Sequence, residues 1–211
     1  MTQVISFISR KGGTGKTTNA VNLANYLHSK GKKIVLVETD TNYTINSLRQ
    51  IELYKTKKNI SDYFHIVASE DHVVADEIKK LKTLGDYEYI LVDSAGKTTD
   101  KGIRALVLVT DLACVTTSID QHDLLVTYQT IQDLKPAQEV NKKLNILLIP
   151  NRIGENFGRR AIRKSLKELD TPILKSYVPF KSVFQRTTTI GPTRRYYRVA
   201  REIMKFLNQS A

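Results

Sequence analysis

Cysteine is nearly absent from this 211-residue chain, tryptophan is missing altogether, and there are only four histidines. A single thiol, Cys114, closes no intramolecular disulfide. That excludes a disulfide-stapled scaffold and fits a reducing, cytoplasmic setting. Cys114 lies in an apolar, strand-like run and reads as a buried, inert thiol. His28, His65, His72 and His122 show no metal-ligand spacing with it. Long apolar runs are lacking too. The richest, "ALVLVTDLACV", is interrupted by Asp111 and falls short of the ~18 residues a membrane span needs. The N-terminus enters "VISFIS" with neither a basic lead nor a cleavage site, so no secretory signal is expected. Repeats, low-complexity segments and long linkers are also missing, so residues 1–211 are expected to form one domain.

Acidic residues are scarce in one part of the chain only. Residues 1–151 hold 19 Lys+Arg against 17 Asp+Glu, whereas residues 152–211 hold 14 against 4, so the last third carries nearly all of the net +12. Nine of the twelve arginines lie there. Such a concentration predicts a polyanionic partner, either nucleic acid or an anionic membrane surface.

What is present is a regular alternation. Short apolar, often β-branched runs at 3–9, 33–38, 64–67, 88–93, 111–117, 144–150 and 173–178 predict strands. Amphipathic stretches near 17–30, 72–83, 120–138, 156–169 and 194–208 predict helices. Strand alternating with helix predicts an α/β fold with a doubly wound, mostly parallel sheet that binds its ligand at the carboxyl ends of the strands.

The first strand runs into "RKGGTGKTT". Glycines in such a turn let backbone N–H groups wrap phosphate oxygens, and the helix N-terminus adds its dipole. Lys16 is placed to reach the β- and γ-phosphates, and the Thr17 hydroxyl to reach Mg²⁺. The loop departs from G-x-x-x-x-G-K-[ST]: Arg10 stands where the first glycine belongs, and an additional lysine, Lys11, follows it. Further on, "YEYILVDSAGK" places Asp93 at a strand end, suited to the hydration shell of Mg²⁺. Gly96 after it could offer an N–H to a γ-phosphate.

"KGGTGKTT" resembles the deviant phosphate loop K-G-G-x-G-K-[ST]-[ST] of the ParA/MinD group of P-loop ATPases, and the chain is closest in pattern to the small ParA-type partition proteins. The resemblance implies that Lys11, Gly12, Gly13, Thr14, Gly15, Lys16, Thr17 and Thr18 bind ATP. It implies that Lys11 crosses an ATP-sandwiched homodimer to the other subunit's phosphates, where it offsets the repulsion of two facing triphosphates. In "IVLVETDTNYT", Asp40 takes the place of the aspartate near the attacking water, an orienting or deprotonating role close to the metal. Here Glu38 replaces the family's first aspartate, and Thr41-Asn42 replaces Pro-Gln. At "LNILLIPNRIG", Asn151 suits an adenine edge, with donor and acceptor on one side chain, or equally ordinary turn chemistry; the segment at Pro179 and Phe180 could cover the base.

The basic third carries two stripes at helical spacing. Arg159, Arg160 and Arg163 lie opposite Ile162, Leu166 and Leu169. Arg194, Arg198, Arg201 and Lys205 lie opposite Tyr196, Val199, Ala200, Ile203, Phe206 and Leu207. Such stripes suit DNA phosphates read without sequence preference. The resemblance implies a weak Mg²⁺-dependent ATPase on the nucleoid, stimulated by a ParB-like adaptor. A MinD-like membrane switch is the alternative, with the last helix as its anchor. Metallocluster and metabolic relatives are disfavoured by the lone cysteine and by the lack of a recognisable small-substrate pocket.

Overall fold

The computed structural model describes residues 2–40, 42–96 and 100–210. Among these described residues six strands form one sheet: β1 (Gln3–Ile8), β2 (Ile34–Glu38), β3 (His65–Ala68), β4 (Tyr89–Asp93), β5 (Leu112–Thr117) and β6 (Asn145–Pro150). Their order is β3-β2-β4-β1-β5-β6, and every pairing is parallel. β1 lies between β4 and β5, where the winding changes direction, and this is where a parallel sheet opens a crevice at its carboxyl edge. The register brings Phe7, Asp93 and Glu38 level across β1, β4 and β2.

Alternation along the strands sorts the core into two layers. Ile5, Phe7, Leu36, Leu91, Cys114 and Leu147 face α1 (Lys16–His28) and α8 (Tyr197–Ser210). Val4, Ile8, Val35, Ile90, Val115 and Leu148 face the other side. That side is covered by α3 (Val74–Leu84), α4 (Asp100–Leu108), α5 (Gln121–Val140) and α6 (Arg159–Leu166). Burial among these side chains lifts the Cys114 thiol pKa far above its ordinary value, as expected of an inert thiol. Among the described residues no helix is long and apolar enough to cross a membrane.

Three expectations need correction. Residues 173–178 are not a strand. They run beside β6 with Leu174 N–H on Leu148 O and Val178 N–H on Pro150 O, but form only isolated bridges: two residues of β6 stand against four of the segment, and Ser176 N–H, between the two bonds, donates to Glu202 Oε2 at 2.9 Å. The helix expected over 156–169 is α6 plus a 3₁₀ turn, Lys167–Leu169, and it begins only after Gly158. The last helix likewise opens with a 3₁₀ turn, Arg194–Tyr196, ahead of α8.

Two helices, α2 (Thr44–Thr56) and α4, escaped the pattern, as did a single turn, α7 (Ser182–Gln185). α2 depends on a distant cap. Its N-cap, Tyr43, is in the left-handed region (φ 45°) and offers no side-chain bond. Instead the buried Glu38 carboxylate accepts from Ile45 N–H (2.9 Å), Asn46 N–H (3.3 Å) and the Thr44 hydroxyl (3.2 Å). This serves two of the four orphan N–H groups at the helix start. It also gives a reason for glutamate where the resembled pattern has aspartate: the longer side chain spans from the strand end to the helix. Thr41, the other departure, lies outside the described residues.

Replacing Glu38 by the shorter aspartate is therefore expected to destabilise the protein, by about 1 kcal/mol or more, through loss of the cap. Urea unfolding of Glu38→Asp against wild type checks this; equal midpoints would contradict the capping role.

Candidate nucleotide site

The loop between β1 and α1 is shaped by two residues that only glycine fills comfortably. Gly13 and Gly15 have φ of 75° and 98°. A β-carbon on Gly15 would lie 2.0 Å from Asn151 Nδ2. Gly96 presses on the loop from the end of β4, where a β-carbon would sit 2.9 Å from Gly12 Cα and 3.6 Å from Lys16 Nζ. Strand β4 therefore delivers Gly96 directly against the phosphate loop.

Lys16 is buried, and its ammonium donates to Lys11 O at 3.1 Å. Burial holds its pKa below the usual lysine value, partly offset by the nearby carboxylates of Asp93 and Asp40. The Thr17 hydroxyl donates to Asp93 Oδ2 at 2.6 Å. Asp93 Oδ1 is buried with no hydrogen-bond partner among the described residues. Burial raises the Asp93 pKa to about 7, against the opposing pull of Thr17 and Lys16. A hydroxyl and a half-satisfied carboxylate at a strand end are the hard oxygen donors Mg²⁺ takes, so the residues fit that ion. Asp40 is partly exposed. Its Oδ1 accepts from Asn42 N–H at 3.0 Å. It lines a cavity of about 640 Å³ with Gly12, Lys16, Thr17, Asp93 and Gly96, so the structure brings these expected residues together. Thr39 joins them through Ala95 N–H (2.9 Å), and Glu70, Asp71 and His72 rim the mouth.

Lys11 is 44% exposed and donates to Asp123 Oδ1 of its own chain at 2.5 Å, close to the start of α5. Asp123 also accepts from Ser118 Oγ at 2.7 Å. Burial alone would raise the Asp123 pKa, but the Lys11 and Ser118 bonds outweigh it and hold it below its ordinary value. Arg10, where the usual loop has glycine, turns away and pairs with Asp133.

A second cavity, about 440 Å³, joins the loop to Asn151, Arg152, Pro179, Phe180 and Phe184. Asn151 is buried and faces the loop. Its Nδ2 donates to Thr14 O at 2.7 Å and its Oδ1 accepts from Asn19 Nδ2 at 3.1 Å. Half of its hydrogen-bonding capacity is thus spent, one bond on the loop and one on α1. Arg152, in the left-handed region (φ 56°), donates to Gly13 O at 2.9 Å and lies over the Phe180 ring. Thr14 is buried and accepts from Thr116, while the Thr18 hydroxyl reaches Phe184 O at 3.5 Å. A third cleft, at the amino ends of the strands between Lys33, Lys82, Asp111 and Lys143, is remote from every motif.

Arg159, Arg160, Arg163, Arg194, Arg198, Arg201 and Lys205 are all exposed. The two stripes meet in one groove lined by Arg159, Lys181, Arg195 and Arg198. Arg195 had not been singled out. Neither had Asn19, Asn22 and Asn25, three buried amides spaced three apart in "NAVNLAN". Amides at helical spacing within an apolar helix were the available signal.

A parallel α/β sheet, a glycine-shaped loop at its switch point, a buried lysine and a threonine–aspartate pair define a P-loop nucleotide-binding domain. Residues 5–189 match the family model described as CobQ/CobB/MinD/ParA nucleotide binding domain, and the chain belongs to that family of nucleotide-binding ATPases. Maintenance of carboxysome distribution protein A from Halothiobacillus neapolitanus is 26% identical over 207 residues, covering 94% of this chain and 92% of that protein. The septum site-determining protein MinD from Pyrococcus horikoshii, solved with Mg-ADP, superposes with a TM-score of 0.69 at 22% identity, covering 100% of this chain and 99% of that one. A plasmid partition protein from Borrelia burgdorferi gives a TM-score of 0.68 at 20% identity, with 97% and 99% covered. Two further curated relatives match less than half of this chain, which spans 19% and 46% of their lengths.

The buried carboxyl makes a pH prediction. With a folded pKa of about 7, above the ordinary 3.8, Asp93 keeps in the folded state a proton the unfolded chain has released. Its contribution is fully present below the unfolded value and is lost as pH rises through the folded one. Without metal or nucleotide, stability should fall between roughly pH 4 and 7, and Asp93→Asn should flatten that slope. Urea unfolding across this range is the measurement; an unchanged slope in the variant would assign the pH dependence elsewhere.

Proposed function

We propose that this chain is a ParA-type ATPase that partitions DNA or another cargo, works in the cytoplasm on the nucleoid, and forms one ATPase domain with a basic C-terminal third. ATP binding makes a sandwich dimer, the dimer holds DNA without sequence preference, and a ParB-like adaptor on the cargo stimulates hydrolysis and release. The observation that carries this reading is Lys11, a second lysine in the loop that lies partly exposed at its rim, on Asp123. A cation held there by an exchangeable ion pair can be transferred to a partner subunit's phosphates, which makes dimerisation depend on ATP.

In this scheme Lys16 neutralises the β- and γ-phosphates, while Gly12, Gly13, Thr14, Gly15, Thr17 and Thr18 supply the rest of the cradle. Thr17 and Asp93 hold Mg²⁺, which would withdraw charge from the phosphates when bound, with Asp40 beside them. Asp40 orients the attacking water, and Gly96 follows the γ-phosphate from β4. Pro179 and Phe180 cover the base, and Asn151 reads its edge with the amide N–H not committed to Thr14. Arg159, Arg160, Arg163, Arg194, Arg198, Arg201 and Lys205 meet DNA phosphates, with Arg195 in the shared groove.

The membrane alternative gains nothing from the last helix. Val199, Ala200, Ile203 and Leu207, its apolar side, are buried against the sheet and α1. Support for a partition role comes instead from the carboxysome-distribution relative and the plasmid-partition fold neighbour.

Binding to a random-sequence duplex at several salt concentrations tests the proposal, with ATP, ADP or no nucleotide and with Lys11→Ala in parallel. Salt-sensitive binding only with ATP, lost in the variant, is expected. Equal binding in every nucleotide state would refute the switch, and binding to anionic vesicles in place of duplex would refute the DNA partner.

A further inference from the structure

A chain of buried hydrogen bonds runs from the start of the C-terminal helix to the phosphate loop. The Tyr196 hydroxyl donates to Asn19 Oδ1 at 2.9 Å. Asn19 Nδ2 donates to Gly15 O at 2.8 Å and to Asn151 Oδ1 at 3.1 Å. Asn151 Nδ2 donates to Thr14 O at 2.7 Å. Tyr196, Asn19 and Asn151 are each at least 98% buried. Every bond has the same polarity, and each fixes the next. A donor on Asn19 Oδ1 sets which way the Asn19 amide faces, Asn19 then sets Asn151, and both amides end with their N–H groups on loop carbonyls.

The consequence follows from peptide geometry. In a planar trans peptide the C=O and N–H point in opposite directions. Holding Thr14 O turns the N–H of Gly15 away from that support; Gly15 O takes the helical bond from Asn19 N–H at 3.0 Å as well as Asn19 Nδ2, and the two together turn Lys16 N–H the same way. Arg152 does the same for Thr14 N–H by holding Gly13 O. These are three consecutive donors of a loop whose chemistry is to offer N–H groups to phosphate.

We propose that Tyr196 is a positioning residue of the nucleotide site: acting through Asn19 and Asn151, its hydroxyl sets the peptide orientations that bind phosphate. The proposal deepens the nucleotide reading and does not depend on DNA binding. It gives Tyr196 a task beyond filling the core, since phenylalanine would fill the same volume.

The test is a double-mutant cycle on ADP affinity, measured by calorimetry, with Tyr196→Phe, Asn151→Ala and the double variant. Thermal melts of the nucleotide-free proteins confirm that each is folded. Tyr196→Phe is expected to weaken ADP about tenfold. The double variant is expected to be no weaker than Asn151→Ala alone, because both changes cut one chain. A merely structural tyrosine would leave ADP affinity unchanged or give additive losses, and either result overturns the proposal. If Asn151→Ala proves unfolded, Asn19→Asp replaces it in the cycle with the same two outcomes. Wild-type protein that fails to bind ADP would overturn the nucleotide reading itself and the proposal with it.

Discussion

A phosphate loop has to hold several N–H dipoles facing one way in the absence of any ligand, and a glycine-rich segment has little stiffness of its own with which to do so. In this protein the stiffness comes from behind. Carbonyls of Gly13, Thr14 and Gly15 are held by Arg152, Asn151 and Asn19, and Lys16 ties Lys11 O. The supports come from β6 and its following turn and from α1, and Tyr196 braces them from the C-terminal segment. The parallel sheet matters functionally because it brings the ends of β1, β4 and β6 to one edge, where these side chains can reach a common loop.

Two buried carboxylates show how the same edge separates support from chemistry. Glu38 and Asp93 lie at the same level on adjacent strands, and both are inaccessible to solvent or nearly so. Glu38 accepts from two backbone N–H groups and a hydroxyl, so its charge is accounted for by the helix it caps. Asp93 has Thr17 on one oxygen and no hydrogen-bond partner on the other among the described residues. A buried carboxylate left half-satisfied costs stability and is retained where an incoming cation completes it. The contrast leaves Asp93, and not Glu38, with an open acceptor for an incoming cation.

Much of this was legible in the sequence, for physical reasons that also mark the limits. The six strands were readable because central parallel strands are apolar on both faces, and the loop was readable because phosphate chemistry constrains its residues one by one. α2 was not, since its start has no local cap and its stabilising carboxylate is Glu38, on the preceding strand. α4 was hidden inside "ALVLVTDLACV", where helix and strand are equally apolar and Asp111 marks the boundary rather than an interruption. The 173–178 segment is apolar enough for a strand, but its Ser176 N–H goes to the Glu202 carboxylate, a contact 26 residues away that no local pattern encodes. Asn151 was seen as a candidate reader of the base, but its hold on Thr14 O depends on a contact 137 residues away that no local pattern encodes.

The C-terminal segment sets a limit on how any nucleotide-driven change can reach the arginines. Tyr196, Val199, Ile203 and Leu207 are buried in the same layer as α1, while Arg194, Arg195, Arg198 and Arg201 face outward from the same few turns. Peeling the segment off would expose side chains worth about 1.5–3 kcal/mol each. The coupling free energy between two sites in one protein is typically about 1–3 kcal/mol in total. Release of the whole helix is therefore out of proportion to a coupling of that size. The 3₁₀ turn that carries Arg194, Arg195 and Tyr196 joins the loop's hydrogen-bond chain to the basic face with the helix still in its place.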